Sequence, residues 1–154
     1  MDFKEKKKRL KKYPELLIRN QQLKISIREF EERAKALATS TTPGSLDKVR
    51  TAGGKNNLNK ISAFAEKDET KEELIRQQKR VDNEIIQILM SIDSIECLEH
   101  KNAVYYYYII GLKDYEIGAI EGIGVGAEAI RKRRNKGIKA MRFVSMGEVE
   151  EILS

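Results

Sequence analysis

Apolar residues recur at alternating steps of four and three along two long stretches of the chain, which predicts two long helices. The first runs from about Pro14 to Ala38, and Pro14 suits an early helical position because first-turn N–H groups need no partner. The second runs from about Glu69 to Ile95. The recurring positions are Leu16, Asn20, Leu23, Ile27, Phe30, Ala34 and Leu37, and then Leu74, Gln78, Val81, Ile85, Ile88, Ile92 and Ile95.

Two helices of this kind can bury their apolar seams by folding back on each other as a hairpin, or by pairing with copies in another chain. Plain amphipathic core helices also account for the spacing. Asn20 favours self-association, because a lone polar residue in a coiled-coil seam commonly fixes the register and the number of strands. We therefore expect a homo-oligomer, held together by Asn20, Leu23, Ile27, Phe30, Val81, Ile85, Ile88 and Ile92.

Turn-forming residues separate the two predicted helices. The segments "TSTTPGS" and "TAGG" hold hydroxyl residues that compete for backbone hydrogen bonds and glycines that accept a positive φ. The sequence therefore predicts a long loop over about residues 39–67. A loop of this length is either functional or mobile in most domains, and a flexible linker is the interpretation that we favour.

The last third of the chain predicts three shorter helices. Gly111 is placed to end the apolar helix "NAVYYYYII", and Asp114 is placed to cap the next. That next helix, within "YEIGAIEGI", is short and is expected to bury Ile117 and Ile120. A glycine-rich turn, "GIGVG", leads into the helix "AEAIRKRRNKGIKAM". A short helix, a tight turn and a longer basic helix form the helix-turn-helix arrangement, in which the second helix enters the major groove of DNA.

The basic helix has two faces. Ile130, Gly137 or Ile138, and Met141 are expected inside, while the opposite face is polar. Arg can bind two guanine acceptors, Asn can bridge adenine, and Glu can accept from cytosine. The predicted base-reading residues are Glu128, Arg131, Lys132 and Asn135. The predicted phosphate contacts, which position a protein without specifying a sequence, are Lys113, Arg134, Lys136, Lys139 and Arg142.

Positive charge is concentrated at two places in the chain. The 30 basic and 24 acidic side chains of the 154 residues leave a net charge of +6. One basic cluster runs from Lys4 to Lys12 and the other from Arg131 to Arg142, whereas the terminus "GEVEEILS" is acidic, with a potential capping box at Ser145 and Glu148. Two basic clusters favour a polyanionic partner. The first cluster has two interpretations, an arm that contacts DNA and a disordered, solubilising end.

Several functions are not indicated by the residues. The single Cys97 cannot form an internal disulfide, and with His100 it lacks the second Cys/His pair of a zinc site. No stretch approaches the ~18 apolar residues of a membrane span. No Ser-His-acid or Cys-His set is present. We expect a soluble protein of the bacterial cytoplasm that is not an enzyme, contacts no membrane and needs no metal or other cofactor.

Residues 30 to 142 resemble the phage late-gene transcriptional regulators of the ArpU and RinA type. The resemblance is carried by "ERAKALATSTTPGSLDKVRTAGG", by the Glu/Ile-rich helix that follows, and by "YYYYIIGLKDYEIGAIEGIGVGAEAIRKRRNKGIKAM", in that order. The C-terminal part of these regulators is similar to the promoter-reading helix-turn-helix of sigma factors. The resemblance implies a protein encoded by a phage or prophage of a Gram-positive host, which binds duplex DNA and activates late genes.

The sequence thus predicts an all-α protein with two long heptad-patterned helices, a long loop and a C-terminal helix-turn-helix bundle. The expected parts are a basic N-terminal arm (1–13), a helical oligomerisation region (14–100), a DNA-binding domain (101–142) and an acidic tail (143–154). Duplex DNA and copies of the chain are the expected partners, with RNA polymerase as a further one. Two alternatives are a DNA-packaging recognition subunit of the small-terminase type and a sigma-like factor that binds RNA polymerase.

Overall fold

A computed structural model describes residues 1–39, 54–120 and 124–154 of the chain. The protein is all-α, and the described residues contain no β-strand. In chain order the helices of the described part are α1 (Phe3–Lys11), α2 (Tyr13–Thr39), α3 (Gly54–Asp93), α4 (Leu98–Tyr105), α5 (Asp114–Ile120), α6 (Ala127–Ala140) and α7 (Met146–Leu153). A π-helical turn, Tyr106–Ile110, continues α4. The chain forms two compact units, residues 1–18 with 81–154, and residues 19–80.

The N-terminal residues form a helix, which corrects the interpretation of the first basic cluster as a disordered, solubilising end. The carboxylate of Asp2 accepts a hydrogen bond from the backbone N–H of Glu5 at 2.8 Å and so caps α1. Leu10 is fully buried, and Phe3 packs against the same core. Two apolar residues seven apart thus hold a strongly charged helix on the protein, while most of its cations stay exposed.

The unit formed by residues 1–18 and 81–154 has one main core and one smaller core. The smaller core, formed by Ala103, Ile117 and Ile130, joins α4, α5 and α6. The main core combines residues from α1, α2, α3, α4 and α6, together with the segments that follow α3, α4 and α6. Its buried members are Leu10, Tyr13, Ile85, Ile88, Ile92, Ile95, Val104, Tyr108, Ile138 and Met141.

The oligomer prediction for the second heptad seam is corrected by this core. Ile85, Ile88 and Ile92 are 9%, 3% and 3% exposed within a single chain, and Val81 packs against the same cluster. Helices from elsewhere in the same chain therefore cover the face that the heptad pattern offered to a second copy. The alternative of core helices within one chain is correct for this part of α3.

The unit formed by residues 19–80 is an antiparallel pair of helices, the hairpin alternative of the sequence analysis. Lys71 of α3 pairs with Glu31 of α2 at 3.4 Å, and Arg19 donates to Gln77 at 3.1 Å, so early residues of one helix face late residues of the other. Leu23 is 1% exposed within the chain. Asn20 is half-buried, and its amide oxygen is shielded from solvent without a hydrogen-bond donor in the described part of the chain.

Part of the predicted loop is helical in the structure. The helix α3 begins at Gly54 rather than near Glu69, so residues 54–67 are helical although they fall in the predicted loop of 39–67. The remainder of that loop, residues 40–53, lies outside the described residues. At its other end α3 stops at Asp93, two residues before the predicted end at Ile95.

Buried polar side chains of α3 hold the segment that joins α6 to α7. Gln87 donates to the carbonyl oxygen of Val144 at 2.7 Å, and the backbone N–H of Val144 donates to the hydroxyl of Ser91 at 2.9 Å. Ser94, the half-buried residue that follows α3, accepts from the N–H of Arg142 at 2.9 Å. Since this segment is not helical, its backbone groups need partners from side chains, and these come from α3 and the residue after it.

Replacing Gln87 by leucine is expected to lower the free energy of unfolding by about 1–3 kcal/mol, because the carbonyl of Val144 would be left buried without a donor. Urea denaturation followed by circular dichroism measures the change. The matched control is Gln77→Leu, whose exposed contact with Arg19 contributes little, so that its effect stays within about 0.5 kcal/mol. Equal stability of the two variants would contradict this account of the segment.

Candidate nucleic-acid interface

The basic helix α6 is amphipathic as predicted, and its inner face fixes how it lies on the protein. Ile130 and Ile138 are fully buried, and Gly137 is buried between them. A Cβ at Gly137 would lie 2.9 Å from the Cγ2 of Val104 and 3.0 Å from the carbonyl oxygen of His100. The missing side chain therefore lets α6 approach α4 closely, so that its opposite face points away from the protein.

The predicted base-reading residues lie on that outer face. Glu128, Arg131 and Lys132 are exposed, and Asn135 is half-buried. The guanidinium of Arg131 lies 3.6 Å from the carboxylate of Glu128, and the two side chains are 58% and 73% exposed. An exposed pair of this kind contributes little to stability, so Arg131 can exchange Glu128 for another acceptor at low cost.

The predicted phosphate contacts divide into three groups. Lys113, Lys136 and Lys139 are exposed, as a phosphate contact requires. Arg142 is exposed but lies outside α6, and its guanidinium donates to both carboxylate oxygens of Glu148 at 3.0 Å. Arg134 is 5% exposed and is not available to a phosphate. The prediction for Arg134 is therefore wrong.

Arg134 instead joins α6 to α5 through Asp114. Its Nε and Nη2 atoms donate to the two carboxylate oxygens of Asp114, both at 2.9 Å, and its guanidinium carbon lies 3.8 Å from the centroid of the Tyr107 ring. Burial lowers the pKa of Arg134, but the hydrogen bonds and the charge of Asp114 outweigh burial and hold this pKa above its ordinary value. By contrast, burial raises the pKa of the Tyr108 hydroxyl, and the positive charge of Arg134 opposes that rise. Arg134 and Asp114 therefore form an ion pair in which each charge neutralises the other, and its role is structural.

Two predictions for α5 are corrected along with Arg134. Asp114 is the first residue of the helix and binds Arg134 rather than capping the helix, while Glu116 accepts a hydrogen bond from the backbone N–H of Lys113 at 3.4 Å. Ile117 is fully buried as expected, but Ile120 is 54% exposed. Only one of the two isoleucines therefore holds α5 on the core.

The connection between α5 and α6 relies on glycine at particular positions. Residues 121–123 lie outside the described part of the chain. Gly124 has a φ of 63°, in the left-handed region that favours glycine, and Gly126 is the extended residue before α6. A Cβ at Gly118 would collide with the carbonyl oxygen of Val125. The absence of a side chain at Gly118 thus lets the backbone of Val125 lie directly against α5.

Gly111 and Ser145 lie at helix ends, as the sequence predicts. Gly111 ends the π-helical turn with a φ of 88°, and its N–H donates to the carbonyl of Tyr106 at 3.0 Å. Ser145 caps α7 by accepting from the N–H of Glu148 at 3.2 Å. The acidic tail is therefore a helix held by the fully buried Val149, with Ile152 and Leu153 exposed.

The fold and the outer face of α6 define an all-α protein with a short helix, a glycine-containing connection and a basic helix that exposes Arg131, Lys132, Lys136 and Lys139 to solvent. Comparisons of the chain with protein-family models, curated proteins and solved structures gave no match. In the described part of the chain, no helix has the length and apolar character needed to cross a bilayer.

Proposed function

We propose that the protein is a sequence-specific regulator of transcription that binds double-stranded DNA, an activator of phage or prophage late genes of the ArpU and RinA type. It acts in the cytoplasm of a bacterial host, without enzymatic activity and without a cofactor. The observation that carries the proposal is the outer face of α6, where Arg131, Lys132, Lys136 and Lys139 are exposed opposite a fully packed inner face.

The positions of the exposed cations along α6 support base reading as well as phosphate binding. Arg131 and Lys132 lie in the first two turns of the helix, next to Glu128, and the N-terminal residues of a recognition helix are those that reach base edges. Lys136 and Lys139 follow toward the carboxyl end of the helix, where they can contact phosphates. The ion pair of Arg134 and Asp114 holds α6 on α5, which keeps the reading face in a defined position.

Self-association is part of the proposal, although its surface differs from the predicted seam. Ile25 of α2 is 56% exposed and Ile75 of α3 is 44% exposed, so the hairpin of residues 19–80 retains apolar surface for a second copy. Joining two DNA-binding units raises affinity through effective concentration. Light scattering of the full chain measures the number of subunits. A dimer or tetramer agrees with a regulator, and a closed ring of many subunits would favour a packaging subunit.

Selection of bound fragments from a random DNA pool, followed by footprinting with the full chain, tests the proposed function. We expect enrichment of a defined sequence and a protected region restricted to it, because exposed Arg, Lys and Glu side chains discriminate base edges. Binding without any preference among sequences, at every salt concentration, would overturn the proposal of a sequence-specific regulator.

Replacing Arg131 by alanine is expected to relax base preference at one position of the selected site by about 1–3 kcal/mol, since a bidentate contact with guanine would be lost. Competition of single-base variants of the site for the protein measures the preference. Affinity for unrelated DNA is expected to change much less.

Lys136→Ala is the matched control for this prediction, because it removes one exposed cation from the same helix. We expect equally weakened binding to all sequences, with a salt dependence shallower by about one phosphate contact. If Arg131→Ala and Lys136→Ala behave alike, then Arg131 contacts a phosphate, and base reading lies with other residues.

A sigma-like factor that binds RNA polymerase is a second candidate, favoured by the C-terminal helix. On α7, Ile152 and Leu153 are 66% and 56% exposed beside Glu150 and Glu151, which offers a protein partner both apolar and acidic contacts. Capture of polymerase by the full chain in the absence of DNA, and its loss in an Ile152→Ser, Leu153→Ser variant, would support this candidate.

A further inference from the structure

The N-terminal helix α1 is fixed against the carboxyl end of the basic helix α6. The ammonium group of Lys6 donates to the carbonyl oxygen of Met141 at 2.6 Å and to that of Lys139 at 3.3 Å. A cation at this position satisfies carbonyl groups that have no partner within the helix and interacts favourably with the helix dipole. Together with the burial of Leu10, this contact gives α1 a defined place beside the proposed DNA-binding face.

One aromatic ring contacts a cation from each of the two basic clusters of the sequence. The ammonium groups of Lys7 and Lys139 lie 5.9 Å and 5.7 Å from the centroid of the Phe3 ring. Their separation cannot exceed the sum of these two distances, which is close to the Debye length of about 10 Å at 0.1 M salt. The fold therefore joins two clusters that are far apart in sequence into one basic surface.

The outer face of α1 extends this surface with Lys4, Lys8 and Lys11. All three are exposed, at steps of four and three residues, so they lie on one side of the helix. Like charges four residues apart destabilise a helix by a few tenths of a kcal/mol. Among the described residues, none of these three lysines forms an ion pair, and the carboxylate of Asp2 is already engaged as the cap of α1.

We propose that α1 is a second DNA-contacting element, in which Lys4, Lys8 and Lys11 bind phosphates of the same duplex that α6 enters. This inference rests on the proposed function and assigns a role to the first basic cluster. The three lysines span seven residues, or about 10 Å of helix, at 1.5 Å per residue. Duplex DNA carries one negative charge per about 1.7 Å of its axis, so several phosphates lie within that length.

Duplex DNA suits this surface better than a lipid bilayer does. A helix that binds in the membrane interface inserts its apolar face among the lipids. In α1 the apolar residues Phe3 and Leu10 already pack on the protein core, which leaves only charged residues outside. The exposed lysines of α1 lie on a helix that meets Lys139 of α6 through Phe3, and together they match a line of phosphates.

The test compares the full chain with a variant that carries Lys4→Gln, Lys8→Gln and Lys11→Gln. The measurement is the affinity for the selected DNA site and for unrelated DNA at several salt concentrations. At about 0.9 per phosphate contact, the slope of log affinity against log salt should become shallower by between two and three. Affinity at 0.1 M salt should fall on the order of a hundredfold for both DNAs, with base preference unchanged.

A variant with Lys24→Gln, Arg28→Gln and Lys79→Gln removes the same charge from exposed positions of residues 19–80, and it should keep the original slope. A variant with Lys4→Arg, Lys8→Arg and Lys11→Arg keeps the charge and should keep the slope as well, which separates loss of charge from loss of folding. Equal effects of the two glutamine variants would overturn the inference, because net charge alone would account for them.

The failure of this inference is distinguishable from the failure of the proposed function. If the chain prefers one DNA sequence and the α1 glutamine variant keeps the original salt slope, then α1 does not contact DNA, and the regulator proposal stands. If the unaltered chain shows no sequence preference, then the proposed function fails, and the inference about α1 fails with it.

Discussion

Replacing Gly118 by alanine should lower the free energy of unfolding by about 3 kcal/mol, at the upper end of the range for overpacking. A Cβ at this position of α5 collides with the carbonyl oxygen of Val125, which is a backbone atom and cannot move aside by rotating a side chain. The helix and the connection to α6 would have to separate, and the buried contact of Ile117 with Ile130 would loosen. Urea denaturation followed by circular dichroism measures the loss.

The matched control is Gly147→Ala, which makes the same change inside α7. A Cβ there would lie 3.9 Å from the hydroxyl oxygen of Ser145, an ordinary contact. Since alanine is the better helix former by up to about 1 kcal/mol, this variant should be as stable as the original chain or more stable. The two substitutions are therefore expected to have opposite signs, and a stabilising Gly118→Ala would show that the connection does not pass against α5 as described.

Helix positions were the part of the fold most open to prediction, because they depend on local pattern. The stepping of apolar residues predicts Pro14–Ala38, and the helix found is Tyr13–Thr39. Gly111 and Ser145 mark helix ends through conformational and capping preferences that need no knowledge of the rest of the chain. The start of α3 at Gly54 was missed, because its first residues include Gly54, Asn56, Asn57 and Asn59, which have weak helix propensity.

What covers an apolar face was not predictable from the same pattern. The spacing of Ile85, Ile88 and Ile92 shows that they share one face, and a second copy of the chain and a distant helix satisfy that face equally well. In the structure they share one core with Leu10 and Met141, which lie far from them on either side in the sequence. Local periodicity does not report contacts between residues so far apart in the sequence. The pattern therefore could not show whether this face is buried within one chain or against a second copy.

The sequence predicted the exposed residues of the candidate site correctly, but it did not predict the role of the buried ones. Glu128, Arg131 and Lys132 are exposed as expected, since polar residues opposite an apolar stripe face solvent. Arg134 follows Ile130 by four residues and precedes Gly137 by three, a spacing that places it on the inner face, and this was the signal that could have identified it. Its partner Asp114 has no such signal, because an acidic residue before a short helix also predicts a cap.

Replacing Arg134 by methionine should lower the free energy of unfolding by about 3 kcal/mol, near the low end of the range for breaking a buried ion pair. Methionine fills much of the same space but leaves the carboxylate of Asp114 without its two hydrogen bonds. The low end applies because 19% of the Asp114 side chain remains exposed to water. Thermal and urea denaturation of the full chain measure the loss.

Asp114→Asn and the double variant complete the test. Because the double variant leaves no unpaired charge, its loss should be smaller than the sum of the two single losses, by roughly 1–3 kcal/mol. Arg131→Met, which alters an exposed arginine of the same helix, should change stability by less than about 0.5 kcal/mol. If Arg134→Met instead left stability unchanged and made the salt dependence of DNA binding shallower by about one contact, Arg134 would be a phosphate contact.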